Sequence, residues 1–284
     1  MAKVLVAGCG DLGSGVASAL VAQGHSVTGI RRTQDDFPQG VQGITGDLTE
    51  MDQACFPDAA LIYLIMTPQG RTEASYRAAY FDTAQALIRR YSTQANLPTV
   101  IFVSSTSVYG QNAGEWVDET TRADPKTVTA TVLTDTERAL AAVFPSVAVR
   151  CSGIYGPGRY RMLEKVLSEE AWGANSWTNR VHRDDVVSAL LLLADLVLCH
   201  PESEECVLPE QVIVTDQTPV SMWEVKLWLA SCLGAKVMAE SSEGFAPVSG
   251  KRIQGEYLLS KGWRPIYPSY TAGYRGLIDA FQSR

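Results

Sequence analysis

The feature that most constrains this chain lies at its start, where an apolar run passes directly into a glycine turn. Lys3-Val4-Leu5-Val6-Ala7 leads into Gly8-Cys9-Gly10-Asp11-Leu12-Gly13, after which Leu12, Val16 and Leu20 recur at helical spacing. Strand, glycine turn and helix in that order present a helix N-terminus and bare backbone N–H groups to a phosphate. Gly10 lets the backbone approach such a group with no Cβ in the way, and Gly13 lets the helix lie close on the strand. Gly8, Gly10, Asp11, Leu12 and Gly13 are therefore candidate contacts of a dinucleotide pyrophosphate. Gln23-Gly24-His25 reads as a turn and Ser26 to Ile30 as the next strand, which completes the unit.

The residue after that second strand discriminates between nucleotides. A carboxylate there accepts from the ribose hydroxyls of NAD, whereas a guanidinium can fork onto the 2′-phosphate of NADP. Arg31 and Arg32 occupy the position, so NADP(H) is expected over NAD(H). The alternative is a pair of solvated arginines facing Asp35 and Asp36.

The rest of the chain alternates strands and helices. Strands are expected at Val41–Thr45, Leu61–Ile65, Thr99–Val103, Val147–Arg150 and Val212–Val214, with helices at Thr72–Tyr91, near Thr134–Val143, at Asp184–Leu198 and at Val220–Cys232. Continuous apolar strands between helices predict an α/β, doubly wound parallel sheet covered on both faces. Tyr76, Tyr80 and Leu87 of the long helix read as sheet-facing core. After Cys151 the rhythm changes: Gly153 to Gly158 reads as loop, and the tail, rich in proline and aromatics, reads as irregular. Expected domains are a dinucleotide-binding core over 1–155 plus about 182–218, and a small C-terminal substrate lobe over about 156–181 and 219–284.

Composition excludes several classes. A net charge of −7 with no basic block argues against nucleic acid as a partner. The longest apolar stretch, Val186 to Cys199, is too short to span a bilayer and contains Asp195. With a core strand beginning at Lys3, no signal peptide is expected and a cytoplasmic location follows. Six cysteines (9, 55, 151, 199, 206 and 232) and three histidines form no metal-ligand spacing, which predicts reduced thiols and no metal. Of the thiols only Cys9 is expected near a ligand.

Five further segments, in order, resemble one family. Gly46-Asp47-Leu48, Ser104-Ser105-Thr106-Ser107-Val108-Tyr109-Gly110, Arg150 to Arg159, Val181-His182-Arg183-Asp184-Asp185-Val186 and Gly262-Trp263-Arg264-Pro265 are similar to motifs of the extended short-chain dehydrogenase/reductases, the NAD(P)-dependent epimerase/dehydratase group. The resemblance implies that Asp47 and Leu48 flank the adenine and that Ser105 is the catalytic serine. It also implies that Tyr155, Arg159 and His182 lie at or near the substrate. A small, sugar-derived or otherwise anionic molecule is then the expected partner, with Arg159, Arg161, Lys165, Arg180 and Arg183 in the segment expected to face it. A homodimer through the two long core helices is also implied.

The chain departs from that family where its chemistry is concentrated. Counting back from Glu137, Thr129 stands where the family's YxxxK motif has tyrosine and Leu133 where it has lysine, and no other YxxxK lies between Tyr109 and Tyr155. Neither replacement is an acid or base in water. Ser105 then orients substrate without its usual partner, and Tyr155 is the candidate replacement acid. Two functions remain open: an enzyme of the epimerase/dehydratase type with a non-standard acid/base, or a protein that senses the dinucleotide without turnover.

Overall fold

The computed structural model describes residues 1–33, 36–168, 170–199, 208–239 and 245–283. Of the residues considered above, Asp35 and Cys206 lie outside this set. The elements in chain order begin with β1 (Lys3–Ala7), α1 (Asp11–Ala22), β2 (Ser26–Arg31), β3 (Gln42–Thr45), β4 (Leu61–Leu64), α2 (Glu73–Tyr76), α3 (Asp82–Tyr91) and β5 (Thr99–Ser105). There follow β6 (Ala113–Val117), α4 (Val128–Ala141), β7 (Ser146–Cys151), β8 (Gly153–Tyr155), α5 (Arg161–Leu167), β9 (Trp177–Thr178), β10 (Arg180–His182) and α6 (Arg183–Cys199). The last are β11 (Gln211–Val214), β12 (Val220–Ser221), α7 (Met222–Leu233), β13 (Gly250–Ile253), α8 (Tyr257–Ser260) and α9 (Tyr270–Gln282).

A seven-stranded sheet runs in the order β11-β7-β5-β4-β1-β2-β3. β1 is parallel to both β2 and β4, and the chain winds outward from it in both directions. This is the doubly wound α/β architecture expected from the sequence. β1 and β4 read as unbroken apolar runs because both faces are covered: Val4 to Ala7 and Leu61 to Leu64 are all buried. The stripe Leu12, Val16 and Leu20 turns α1 onto the sheet. The glycine turn leaves β1 where the winding reverses, the place in such sheets where ligands bind.

Two compact units divide the chain. Unit 1 comprises Met1–Val108, Pro125–Arg150 and Val187–Val212, and unit 2 comprises Tyr109–Asp124, Cys151–Val186 and Ile213–Arg284. The boundary differs from the expected one at 109–124, which groups with unit 2 because β6 pairs with β13, and at 151–155, 182–186 and 213–218, which also fall in unit 2. Three other expectations are corrected. Gly153–Tyr155 is a strand rather than a loop, since it pairs in parallel with β10. The tail contains the 13-residue helix α9, capped by the Ser269 hydroxyl accepting from Ala272 N–H; its aromatics Tyr274 and Phe281 pack inward against unit 2. The helix expected over Thr72–Tyr91 is interrupted by a π-helical turn at Arg77–Phe81 between α2 and α3. No described helix is long and apolar enough to cross a membrane.

Candidate functional site

Gly10 precedes α1 as its N-cap, and the first helical bond runs from Ser14 N–H to the Gly10 carbonyl. The first-turn N–H groups at Leu12 and Gly13 therefore have no acceptor within the helix, the arrangement that receives an anion. The three glycines serve different ends. Gly8 has φ +96°, and a Cβ there would meet the Ile65 carbonyl at 1.9 Å; a Cβ on Gly13 would meet the Gly8 carbonyl at 2.3 Å. A Cβ on Gly10 would meet nothing within 4 Å, so that position is open on the ligand side. Cys9 turns away from this opening and is fully buried, close enough to Gly29 that a Cβ there would meet its sulfur at 2.8 Å. Burial pushes its thiol pKa up, which disfavours the thiolate.

Arg31 ends β2 with its guanidinium 4.3 Å over the Phe37 ring. Gly43 makes room for that ring, since a Cβ on it would meet the Phe37 ring at 2.1 Å. Held this way, Arg31 buries Nε and Nη2 without giving either a described hydrogen-bond acceptor. Arg32 is exposed. Asp47 accepts from the backbone and hydroxyl of Thr49 through one oxygen, at 2.9 and 2.6 Å, and that bonding holds its pKa low. Leu48 is buried.

At the end of β5 the two serines differ. Ser104 is buried and donates to Glu137 Oε1 at 2.6 Å. Glu137 in turn receives Arg150 through Nε (3.1 Å) and Nη2 (2.6 Å), a bidentate pair that neither sequence spacing nor motif reading assigned. Ser105 is half-buried; its Oγ accepts from Ser107 N–H at 3.1 Å and its proton has no described acceptor. The Thr129 hydroxyl bonds that of Thr127 at 3.1 Å, and Leu133 is buried in α4.

Unit 2 places Tyr155 and His182 in packed surroundings. Tyr155 belongs to a hydrophobic core, stacked on Tyr274 at 4.5 Å, with its hydroxyl directed to the Ser269 carbonyl. Burial, with Asp216 adding, raises its pKa far above the phenol range. His182 is 2% exposed, lies against Tyr267, and accepts from Asp184 N–H through Nδ1 at 3.2 Å. Burial lowers its pKa, and the ring sits at the start of α6. The expected basic surface is also dispersed. Arg180 is buried, Arg183 pairs with Asp184 at 2.8 Å, and Arg159 lies half-buried before α5. The chain's one Tyr-xxx-Lys spacing, Tyr257 and Lys261, falls at α8 in unit 2, with the ammonium 5.7 Å over the ring. Among the described residues no cluster of metal-ligating side chains occurs.

A doubly wound sheet with an open glycine turn at its switch point defines a dinucleotide-binding protein. Residues 4–202 match the model of the NAD dependent epimerase/dehydratase family. Protein YeeZ of Escherichia coli K12 is 33% identical over 204 residues, 68% of this chain and 73% of that protein. A structure from Methylobacillus flagellatus, assigned as an NAD-dependent epimerase/dehydratase, is 35% identical with a TM-score of 0.82 over 99% of both chains. UDP-glucuronic acid 4-epimerase of Bacillus cereus, bound to UDP-glucuronic acid and NAD, shares the fold at a TM-score of 0.79 and 18% identity over 99% of both chains. The chain belongs to the NAD dependent epimerase/dehydratase family.

Proposed function

We propose that this protein binds NADP(H) in preference to NAD(H) and acts on a small, nucleotide-sugar-like substrate. The observation that carries the reading is Arg31, whose Nε and Nη2 are buried without a described acceptor at the end of β2. A buried guanidinium nitrogen without an acceptor is costly, and a 2′-phosphate would supply oxygens to the guanidinium once a small shift of the side chain uncovers it. The residues present fit such a group: Gly10 is open, the first turn of α1 offers its N–H groups, and Phe37 holds the Arg31 fork in place.

When bound, the nicotinamide dinucleotide would supply hydride transfer. The chain's own part is to seat the pyrophosphate on Gly8 to Gly13, hold the 2′-phosphate with Arg31, and orient a substrate oxygen with the Ser105 hydroxyl. Ser104, Glu137 and Arg150 fix the strand end that carries Ser105. General acid–base catalysis contributes about 10²–10⁴ in rate, and neither Thr129 nor Leu133 supplies it. The reading therefore assigns proton transfer to a non-standard acid/base. The sugar-nucleotide class is suggested by neighbours whose structures hold UDP-glucuronic acid or UDP-glucose.

Titration calorimetry at moderate salt tests the nucleotide assignment. One charge-assisted contact of about 1.5–3 kcal/mol predicts roughly ten- to 150-fold tighter binding of NADPH than NADH, with the preference lost in Arg31→Ala. Equal affinities in the wild type would overturn it. The hydroxyl and the apolar side chain at positions 129 and 133 favour a second reading, a sensor without turnover. Preferential binding of one redox form, with no turnover across a panel of sugar nucleotides and carbonyl compounds, would select that reading.

A further inference from the structure

Unit 2 contains an arginine outside every motif considered above. β13 runs parallel to β6, and Arg252 lies directly across from Trp116 in that pairing. The Arg252 guanidinium sits 4.9 Å from the Trp116 ring and 5.0 Å from the Trp177 ring, so one planar cation is flanked by two indoles. Its Nε donates to the Gly114 carbonyl at 2.8 Å. Two glycines permit the arrangement. Gly114 has φ +83°, and a Cβ there would meet Trp177 Nε1 at 3.1 Å; Gly250 has φ +88°, and a Cβ there would meet the Trp177 carbonyl at 2.6 Å.

The terminal nitrogens of Arg252 remain. Neither donates to a described residue, and neither is among the buried nitrogens lacking a partner, so both reach solvent. The adjacent carboxylate does not claim them: Glu115 turns back and accepts from Ala113 N–H at 2.7 Å. Lys251, next along the strand, donates instead to the Tyr109 carbonyl. Trp116 is 53% exposed, which leaves indole surface beside the fork.

We propose that the Trp116–Arg252–Trp177 stack is a binding site for an oxyanion, a phosphoryl or carboxylate group carried by a small molecule with an apolar part that lies on Trp116. A guanidinium presents two parallel donors that match both groups bidentately. Most surface arginines lose side-chain freedom when they bind, and that loss weakens them as receptors. Arg252 has given up that freedom to the fold already, held by two rings and a carbonyl. The site belongs to unit 2 alone and stands whether or not unit 1 prefers NADP(H).

The test uses the full-length protein without added nucleotide, in the Arg31→Ala background so that phosphate held by Arg31 does not contribute; phosphate bound at the glycine turn is common to every protein compared and is separated from the site by the Arg252 variants. Tryptophan fluorescence is followed while inorganic phosphate or benzoate is titrated at ionic strength held constant with sodium chloride. A saturable change is expected, with a midpoint at least tenfold weaker in Arg252→Gln. Arg252→Lys, which keeps the charge but not the fork, is expected to weaken binding severalfold and serves if Arg252→Gln does not fold. A response to phosphate alone assigns a phosphoryl ligand, to benzoate alone a carboxylate, and to both a general oxyanion site. No saturable response to either probe, a response that chloride reproduces, or equal midpoints in the background protein and both Arg252 variants would overturn the proposal.

Discussion

Arg150 of unit 1 and Arg180 of unit 2 are buried to nearly the same degree, 5% and 7% exposed, yet their surroundings treat the two charges in opposite ways. Arg150 grips Glu137 through two short bonds, and Ser104 donates to the same carboxylate. Arg180 has no described carboxylate in ion-pair contact. Its nearest partners are the Tyr274 hydroxyl at 3.4 Å and the Met222 sulfur at 3.5 Å, and its Nε has none. The charge nearest in effect is Asp216, itself 2% exposed with one oxygen accepting from Thr218 N–H and the other unpartnered. Burial outweighs the attraction of Arg180 and pushes Asp216 up to about 7. The charge of Arg150 is thus settled within the fold, beneath the strand end that carries Ser105. The charges of Arg180 and Asp216 are left partly uncompensated.

The strongest way to break this contrast is Glu137→Ala. It leaves Arg150 buried with no carboxylate to receive it, and unfolding free energy is expected to fall by about 3–5 kcal/mol, read from denaturant melts at pH 7. A loss below about 1 kcal/mol would mean that water reaches Arg150 and that the pair is not structural.

Asp216→Asn should act in the opposite sense. A carboxyl whose folded pKa is raised contributes stability that is fully present below its unfolded value, near 4, and is lost as pH rises through about 7. The variant escapes that loss. It is expected to be more stable than the wild type by on the order of 2–4 kcal/mol at pH 8, with the difference vanishing by about pH 4. A destabilised Asp216→Asn at pH 8 would show instead that the attraction between Asp216 and Arg180 outweighs their desolvation.

Arg31→Ala sharpens the comparison at the smallest scale. The fold gives the buried nitrogens of Arg31 no described acceptor, so stability should move by less than about 1 kcal/mol, the worth of its contact with Phe37. NADPH affinity is expected to fall by about 1.5–3 kcal/mol, while NADH affinity is nearly unchanged. Parallel losses for both nucleotides would mean that Arg31 supports the site only generally.

The same contrast explains what could be read from the sequence. The glycine turn was legible because its chemistry is carried by contiguous residues: the strand before it, the open position at Gly10 and the helix after it follow from neighbours in the chain. Arg31 was legible by its place at the end of β2. Phe37 beneath it was not, because that contact depends on Gly43 across the β2–β3 connection. In unit 2 the pattern of residue types misled. Tyr155 and His182 lie in motifs, but their surroundings are set by Tyr267 and Tyr274 more than 80 residues later. The prolines and aromatics of that tail concealed a helix capped at Ser269. Arg252 gave no local signal, since its site is assembled from three strands far apart in sequence.

The central claim, that unit 1 is built to receive a 2′-phosphorylated dinucleotide, is tested most directly by comparing two adenosine fragments. Calorimetric titration with adenosine 2′,5′-bisphosphate and adenosine 5′-monophosphate at equal ionic strength isolates the 2′-phosphate from everything else in the cofactor. The account predicts that the bisphosphate binds at least about tenfold more tightly and that Arg31→Ala removes the difference. Equal binding of the two fragments to the wild-type protein would contradict it.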